Sequence, residues 1–66
     1  MNATTKHTSE RNGYKLTVYE YTNHGQKRYG CRVTNLETGN SEQFPGYSSY
    51  RIALEIAQDT ADAAGI

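Results

Sequence analysis

The chain has 66 residues, no formal net charge and one cysteine. This length suits one small domain, and a lone cysteine excludes an internal disulfide, as is usual for proteins of a reducing cytoplasm. No apolar run approaches the roughly 20 residues of a membrane-spanning helix, and residues 1–10 lack the apolar core of a signal peptide. We therefore expect a cytoplasmic protein that does not associate with membranes.

Residues 1–12 are polar, show no hydrophobic periodicity and are dominated by Thr, Ser, Asn and charged side chains. Such a segment has too little apolar surface to offset the entropy lost on ordering. We predict a flexible arm over residues 1–12, followed by a single domain over residues 13–66.

Two runs rich in Tyr, Val, Thr and Leu follow, over residues 14–22 and 27–36, with Asn23, His24 and Gly25 between them. β-Branched and aromatic residues favour strands, and Asn or Gly favours the tight turn of a hairpin. Because side chains alternate between the faces of a strand, each run has one inward face. These inward positions are Tyr14, Leu16, Val18, Tyr29, Cys31 and Val33.

A second turn and a short strand come next. Gly39 is placed to adopt a left-handed conformation in the turn at residues 37–40, and residues 41–44 form the strand, with Phe44 inward. Pro45 has no backbone donor, so it ends this strand or confines it to a sheet edge. The three predicted strands form an antiparallel meander with the second strand in the middle.

Apolar residues recur at helical spacing from Tyr50 to about Ala64, and Ser48 or Ser49 is available as the helix cap. The alanines on this face allow close packing on a sheet. The predicted fold is α+β, in the order βββα, with one C-terminal helix packed on one face of the three-stranded sheet.

Few residues suggest catalysis or metal binding. Cys31 is on the inward face, where a free cysteine usually behaves as a small hydrophobe, and we expect neither His7 nor His24 to reach it. One Cys and two distant His residues do not match a structural zinc site. We expect neither an enzyme nor a bound metal or cofactor.

One helix covers one face of a sheet, so the opposite face meets water or a partner. Tyrosine and arginine are enriched at the centres of interfaces. The predicted partner-binding residues on this face are Lys15, Tyr19, Tyr21, Arg28 and Arg32. A second, acidic surface is predicted on the helix, at Glu55, Asp59 and Asp62.

The helix segment Arg51-Ile52-Ala53-Leu54-Glu55-Ile56-Ala57 is Ala-rich, and the element order is similar to that of plant AP2-type domains and phage integrase arm-binding domains. This resemblance implies a DNA- or RNA-binding module that uses the uncovered face. The tryptophans and dense arginines of AP2 sheets are absent, and the neutral charge reduces phosphate attraction. Nucleic acid is therefore the alternative partner.

In size and layout, residues 14–64 resemble small phage-encoded inhibitors of bacterial defence, including anti-CRISPR proteins. The resemblance implies a non-catalytic protein that occupies a surface of a larger protein or ribonucleoprotein complex. This is the leading expectation. A homodimer with a structural role is the third reading.

Overall fold

A computed structural model describes residues 3–64 of the chain. It contains an antiparallel sheet and a C-terminal helix, as the sequence predicts, but the sheet has four strands and the prediction of three is wrong. The strands lie side by side in chain order. The elements are β1 (Thr4–Arg11), β2 (Tyr14–Asn23), β3 (Gln26–Asn35), β4 (Ser41–Tyr47) and α1 (Tyr50–Ala64).

The additional strand, β1, occupies most of the segment predicted to be a flexible arm. A two-residue turn at Asn12 and Gly13, with φ of 53° and 80°, reverses the chain and pairs β1 with β2. Asn-Gly is a strong signal for this type of hairpin turn, because both positions need positive φ. The prediction of an arm is therefore wrong for residues 4–11, and residues 1–2 lie outside the described part.

The central hairpin of β2 and β3 matches the prediction. His24 and Gly25 form its turn, with φ of 52° and 77°. Directly opposed residues place the predicted inward side chains together, with Leu16 beside Val33 and Val18 beside Cys31. All four are buried in the core, so the predicted inward face is confirmed at these positions.

The edge strand β4 is longer than predicted. Gly39 has a φ of 81° in the preceding turn, as expected, but β4 continues through Pro45 to Tyr47. The register of β3 and β4 shifts at this point, because one residue of β3 faces two residues of β4. An edge position and a bulge are the places where a sheet tolerates proline, so the strand does not need to end there.

Helix α1 begins with the predicted cap. The Ser49 hydroxyl accepts a hydrogen bond of 3.2 Å from the backbone N–H of Ile52. Ala53, Ala57 and Ala61 recur every four residues and are fully buried against the sheet. Because alanine projects only one carbon, the helix axis lies close to the strands and their larger side chains fill the core.

The end of α1 is tied to the turn between β1 and β2. The Arg11 guanidinium donates two hydrogen bonds to the Asp62 carboxylate, at 2.6 and 3.1 Å. The Asn12 side-chain amide donates a third, at 3.1 Å. The first strand and the last helical turn are therefore joined, although Arg11 and Asp62 are 51 positions apart in sequence.

Helix α1 covers one face of the sheet only. Its 15 residues span about 22 Å, whereas the ten-residue strands β2 and β3 span about 33 Å. No second helix lies on the opposite face within residues 3–64. In the same range, no helix has the length and apolar character needed to cross a membrane.

Candidate functional site

The sheet face opposite α1 is called the open face here. Strand pairing shows which residues lie on this face, because directly opposed residues of neighbouring strands point to the same side of the sheet. Tyr21 lies opposite Arg28, Thr17 opposite Arg32, and Arg32 also lies opposite Gln43 of β4. The open face includes all five residues predicted to bind a partner, namely Lys15, Tyr19, Tyr21, Arg28 and Arg32.

Tyr19 lies on the open face but is not a free anchor. Only 8% of it is exposed. Its ring covers Gly30, the directly opposed residue of β3, so closely that a Cβ atom at Gly30 would lie 2.6 Å from the ring. The Tyr19 hydroxyl accepts a hydrogen bond of 2.8 Å from the Gln43 side chain of β4. Tyr19 therefore spans three strands and forms the floor of the open face.

Tyr21 is the more accessible of the two tyrosines. It is half-buried, and its ring centroid lies 5.9 Å from that of Tyr19 with the planes tilted by 39°. Arg28, opposite Tyr21, donates a hydrogen bond of 2.6 Å to the Gln26 side chain on the same strand. Tyr21 and Arg28 together present an aromatic ring beside a cation.

Both edge strands are irregular at the level of Tyr19 and Gly30. The register of β1 against β2 shifts between Thr5 and His7, and that of β4 against β3 shifts opposite Gly30. Bulges of this kind bend a strand and reorient its side chains, often beside functional sites. The result is a shallow groove of about 250 Å³. It is lined by Ala3, Tyr19, Tyr21, Gln43 and Pro45.

Two arginines of the open face lie beside residues that line this groove, because Arg28 is directly opposite Tyr21 and Arg32 is directly opposite Gln43. Arg28 and Arg32 lie two residues before and after Gly30 on β3, and the described residues contain no carboxylate that forms an ion pair with either. Lys15 is farther along β2, directly opposite Glu10 of β1, so its charge is partly balanced. The two arginines are therefore the main positive charges beside the groove.

The predicted acidic surface is divided. Glu55 and Asp59 are exposed on α1. Asp62 instead accepts the hydrogen bonds of Arg11 and Asn12, and the interaction with Arg11 lowers the pKa of the Asp62 carboxyl. Asp62 is thus part of the contact between α1 and β1, and of the three predicted acidic residues only Glu55 and Asp59 remain outside it.

The residues considered for catalysis are far apart. Cys31 is fully buried, and burial raises the pKa of its thiol. His7 lies on β1 with its Nε2 atom 3.1 Å from the Ser9 hydroxyl, and Val18 of β2 separates it from Cys31 by two strand spacings, about 10 Å. His24 is exposed at the hairpin turn. Among residues 3–64, no three Cys, His, Asp or Glu side chains are grouped to hold a metal ion.

The sequence-based prediction gave no role at the site to three residues of this region, which are Gly30, Gln43 and Pro45. A glycine within a strand marks a close approach of another group, and this signal was present at Gly30. Neither Gln43 nor Pro45 has a comparable signal, because their place beside the tyrosines depends on the register of β4 against β3.

Comparison with models of protein families, with curated proteins and with solved structures gives no match to this chain.

Proposed function

We propose that this protein is a non-catalytic binding protein that occupies a surface of a larger protein or ribonucleoprotein complex through its open face. The groove beside Tyr21 is the observation that carries the proposal. At about 250 Å³ it is smaller than the roughly 300–1,000 Å³ of sites for small molecules. It suits one anchoring side chain of a macromolecule, with the rest of the partner spread over the sheet.

The composition of the open face supports this reading. Tyr21 is half-buried, and Arg28 and Arg32 are directly opposite the groove residues Tyr21 and Gln43. Aromatic and arginine side chains often dominate binding energies when a partner removes them from water. Because Tyr19 is already held by Gly30 and Gln43, it supplies a rigid floor, so little side-chain entropy is lost there on binding.

The resemblance to small phage-encoded inhibitors, which concerns size and element layout, suggests where to look for the partner. A bacterial defence complex is therefore the first partner to test. Inhibition in this form needs no chemistry from the chain, because occupying a partner's surface is sufficient.

The experiment is affinity capture from a lysate of the producing cells, with bound proteins identified by mass spectrometry. The open-face variant is Tyr21→Ala with Arg32→Ala, and the matched control is Glu55→Gln with Asp59→Asn on α1. We expect the open-face variant to capture at least about tenfold less partner than the wild type. Removing an anchor side chain that contributes more than about 1.4 kcal/mol of binding energy has this effect. The control variant should capture as much as the wild type.

Circular dichroism and urea unfolding of both variants show whether the fold is intact. Retention of every partner by the folded open-face variant would contradict the proposal. Loss with the helix variant alone would assign binding to the acidic surface.

A nucleic-acid partner is the second candidate, and the observation that favours it is the combination of Tyr21 with Arg28 and Arg32 on one face. Aromatic rings stack on bases, and arginines neutralise phosphates. Binding to duplex DNA would then weaken with salt, with a log–log slope of about −0.9 for each phosphate contact. Absence of binding at low salt would exclude this candidate for duplex DNA. Sedimentation at several concentrations tests the homodimer, the third candidate.

A further inference from the structure

We infer that the open face binds an extended polypeptide segment of its partner with the pattern acidic–x–apolar–x–acidic. This inference rests on the proposed function, because it names the chemistry of the partner at the same surface. It goes further by assigning one side chain of the segment to the groove and two carboxylates to Arg28 and Arg32.

The spacing along β3 is the first argument. Arg28, Gly30 and Arg32 occupy alternate positions of one strand, so all three lie on the open face. Four residues of strand separate the two arginines by about 13 Å. The Tyr19 ring lies over Gly30, and the groove opens at this ring, with Tyr21 and Gln43 in its lining. Tyr21 is directly opposite Arg28 and Gln43 is directly opposite Arg32, so the groove lies between the two arginines.

An extended peptide has the same geometry. Its residues i, i+2 and i+4 point to one side, and about 13 Å separates the first from the last. A peptide lying along β3 can therefore place the apolar side chain of residue i+2 in the groove. Its residues i and i+4 then lie near the two arginines. A helical segment cannot do this, because four helical residues rise only about 6 Å.

Charge is the second argument. Within the described residues, the open face has three basic side chains and a single acidic one, Glu10, which lies opposite Lys15. Neither Arg28 nor Arg32 forms an ion pair with a carboxylate among residues 3–64. Carboxylates of a bound partner would form these ion pairs. Electrostatic complementarity of this kind selects the partner and its register.

The groove itself is the third argument. Its lining consists mainly of two tyrosine rings, Ala3 and Pro45, and its floor is held in place by the hydrogen bond from Gln43 to Tyr19. The apolar lining favours an apolar anchor over a charged one. Gln43 also retains a side-chain carbonyl at the groove edge, which is free to accept a hydrogen bond from the backbone of an extended peptide.

The test is a titration of the isotopically labelled full chain with each of three capped peptides. Backbone amide NMR signals of the protein monitor binding. The first is Thr-Glu-Thr-Leu-Thr-Glu-Thr. The second replaces both glutamates with glutamine, and the third keeps the composition but moves both glutamates next to the leucine. We expect the first peptide to shift the amides of Tyr21, Gly30 and Gln43. The other two should bind about three- to tenfold more weakly, the change expected for two exposed ion pairs.

A charge exchange provides the specific control. The double variant Arg28→Glu with Arg32→Glu should prefer a peptide with lysines in place of the glutamates, and its NMR spectrum shows whether it is folded. A control variant, Arg51→Glu, reverses an exposed charge on α1 instead and should keep the original preference. Arg51 lies on the helix, which covers the opposite face of the sheet, so it has little influence at the groove.

Each outcome decides the inference. No binding of the first peptide, or equal binding of the first and second, overturns it, while the proposed function still stands if Tyr21 is required for partner capture. Binding of single-stranded oligothymidylate at the same amides, without peptide binding, overturns both in favour of nucleic acid. Preference for the first peptide together with the charge exchange supports the inference.

Discussion

Gly30 is the residue whose identity depends most on a single neighbour. Its φ lies outside the left-handed region, so its backbone does not need glycine. The requirement comes from the Tyr19 ring, which occupies the space that a Cβ atom would take. Covering a strand glycine with an opposed aromatic ring offsets the weak packing that glycine gives a sheet. In this protein the same contact also makes the floor of the groove.

The variant Gly30→Ala tests this pairing. We expect it to lower the free energy of unfolding by about 1–3 kcal/mol, as overpacking does, because the Tyr19 ring must move. In a Tyr19→Ala background the same change should cost far less, since alanine is preferred to glycine in strands by about 0.5–1 kcal/mol. Urea unfolding of the double-mutant cycle measures the difference.

Thr34→Ala is the control partner for this cycle. Thr34 lies on the same strand and face as Gly30 but four residues away. The effects of Thr34→Ala and Tyr19→Ala on the free energy of unfolding should therefore add. Simple additivity between Gly30→Ala and Tyr19→Ala would show that the ring does not restrict residue 30.

Among the elements, β1 shows how a polar segment becomes a strand. Its sequence has no large apolar residue, so pairing with β2 and two contacts with α1 supply its order. In the middle of β1, His7 makes an edge-to-face contact with Tyr50 of α1, with centroids 6.4 Å apart. At the last residue of β1, Arg11 pairs with Asp62. A negative charge in the last helical turn is unfavourable, and Arg11 compensates it.

The Arg11–Asp62 pair predicts a defined dependence of stability on pH. The pKa of Asp62 is lowered in the folded chain, mainly by its hydrogen bonds with Arg11. A carboxyl of this kind stabilises the fold above its unfolded pKa of about 3.9, and the contribution is lost as pH falls through the lower folded value. Asp62→Asn should therefore reduce the urea midpoint at neutral pH, and the difference from wild type should disappear in strong acid.

Glu55→Gln is the matched control, because Glu55 is exposed on the same helix. It should leave the urea midpoint nearly unchanged at neutral pH. A constant difference between Asp62→Asn and wild type from neutral pH to strong acid would contradict a charged interaction at this site.

At the scale of the whole molecule, Cys31 reports on opening of the core. It lies between the sheet and the buried alanines of α1, with no exposed surface. A thiol reagent needs an accessible thiolate, and burial raises the pKa of the Cys31 thiol. Modification therefore requires the helix and sheet to separate.

We expect Cys31 to react at least about a hundredfold more slowly in the native protein than in denaturant, given the roughly 3–5 kcal/mol available to a core of this size. The Gly30→Ala variant should react faster, by about tenfold for each 1.4 kcal/mol of stability lost. A disulfide reagent that releases a coloured thiol follows both rates. Reaction of the native protein at the denatured rate would show that the helix does not protect the core.

The parts predicted correctly are those in which local pattern and tertiary packing agree. Leu16, Val18, Cys31 and Val33 alternate with polar residues, so strand geometry alone directs them to one face. The buried alanines of α1 recur with the helical period, and Ser49 precedes the first turn. For these elements, hydrophobic burial needs no information about distant residues.

The missed strand shows the opposite case. Residues 4–11 are polar on both faces, so the hydrophobic pattern gives no signal, and only the Asn12-Gly13 turn indicates a hairpin. The face on which the predicted binding residues lie follows from the same alternation as the core. The alternation that buries Leu16 and Val18 sends Tyr19, Tyr21 and Arg28 to the other side.

Alternation and helical periodicity in the sequence thus determined the fold class, the main core and the side of the sheet that stays open. Only the tertiary structure decided that Tyr19 is a buried floor, that Asp62 pairs with Arg11, and that the groove lies between Arg28 and Arg32. The reason is physical. Burial on one face follows from a period that each segment carries by itself, whereas these contacts depend on strand register and helix docking, which bring distant residues together.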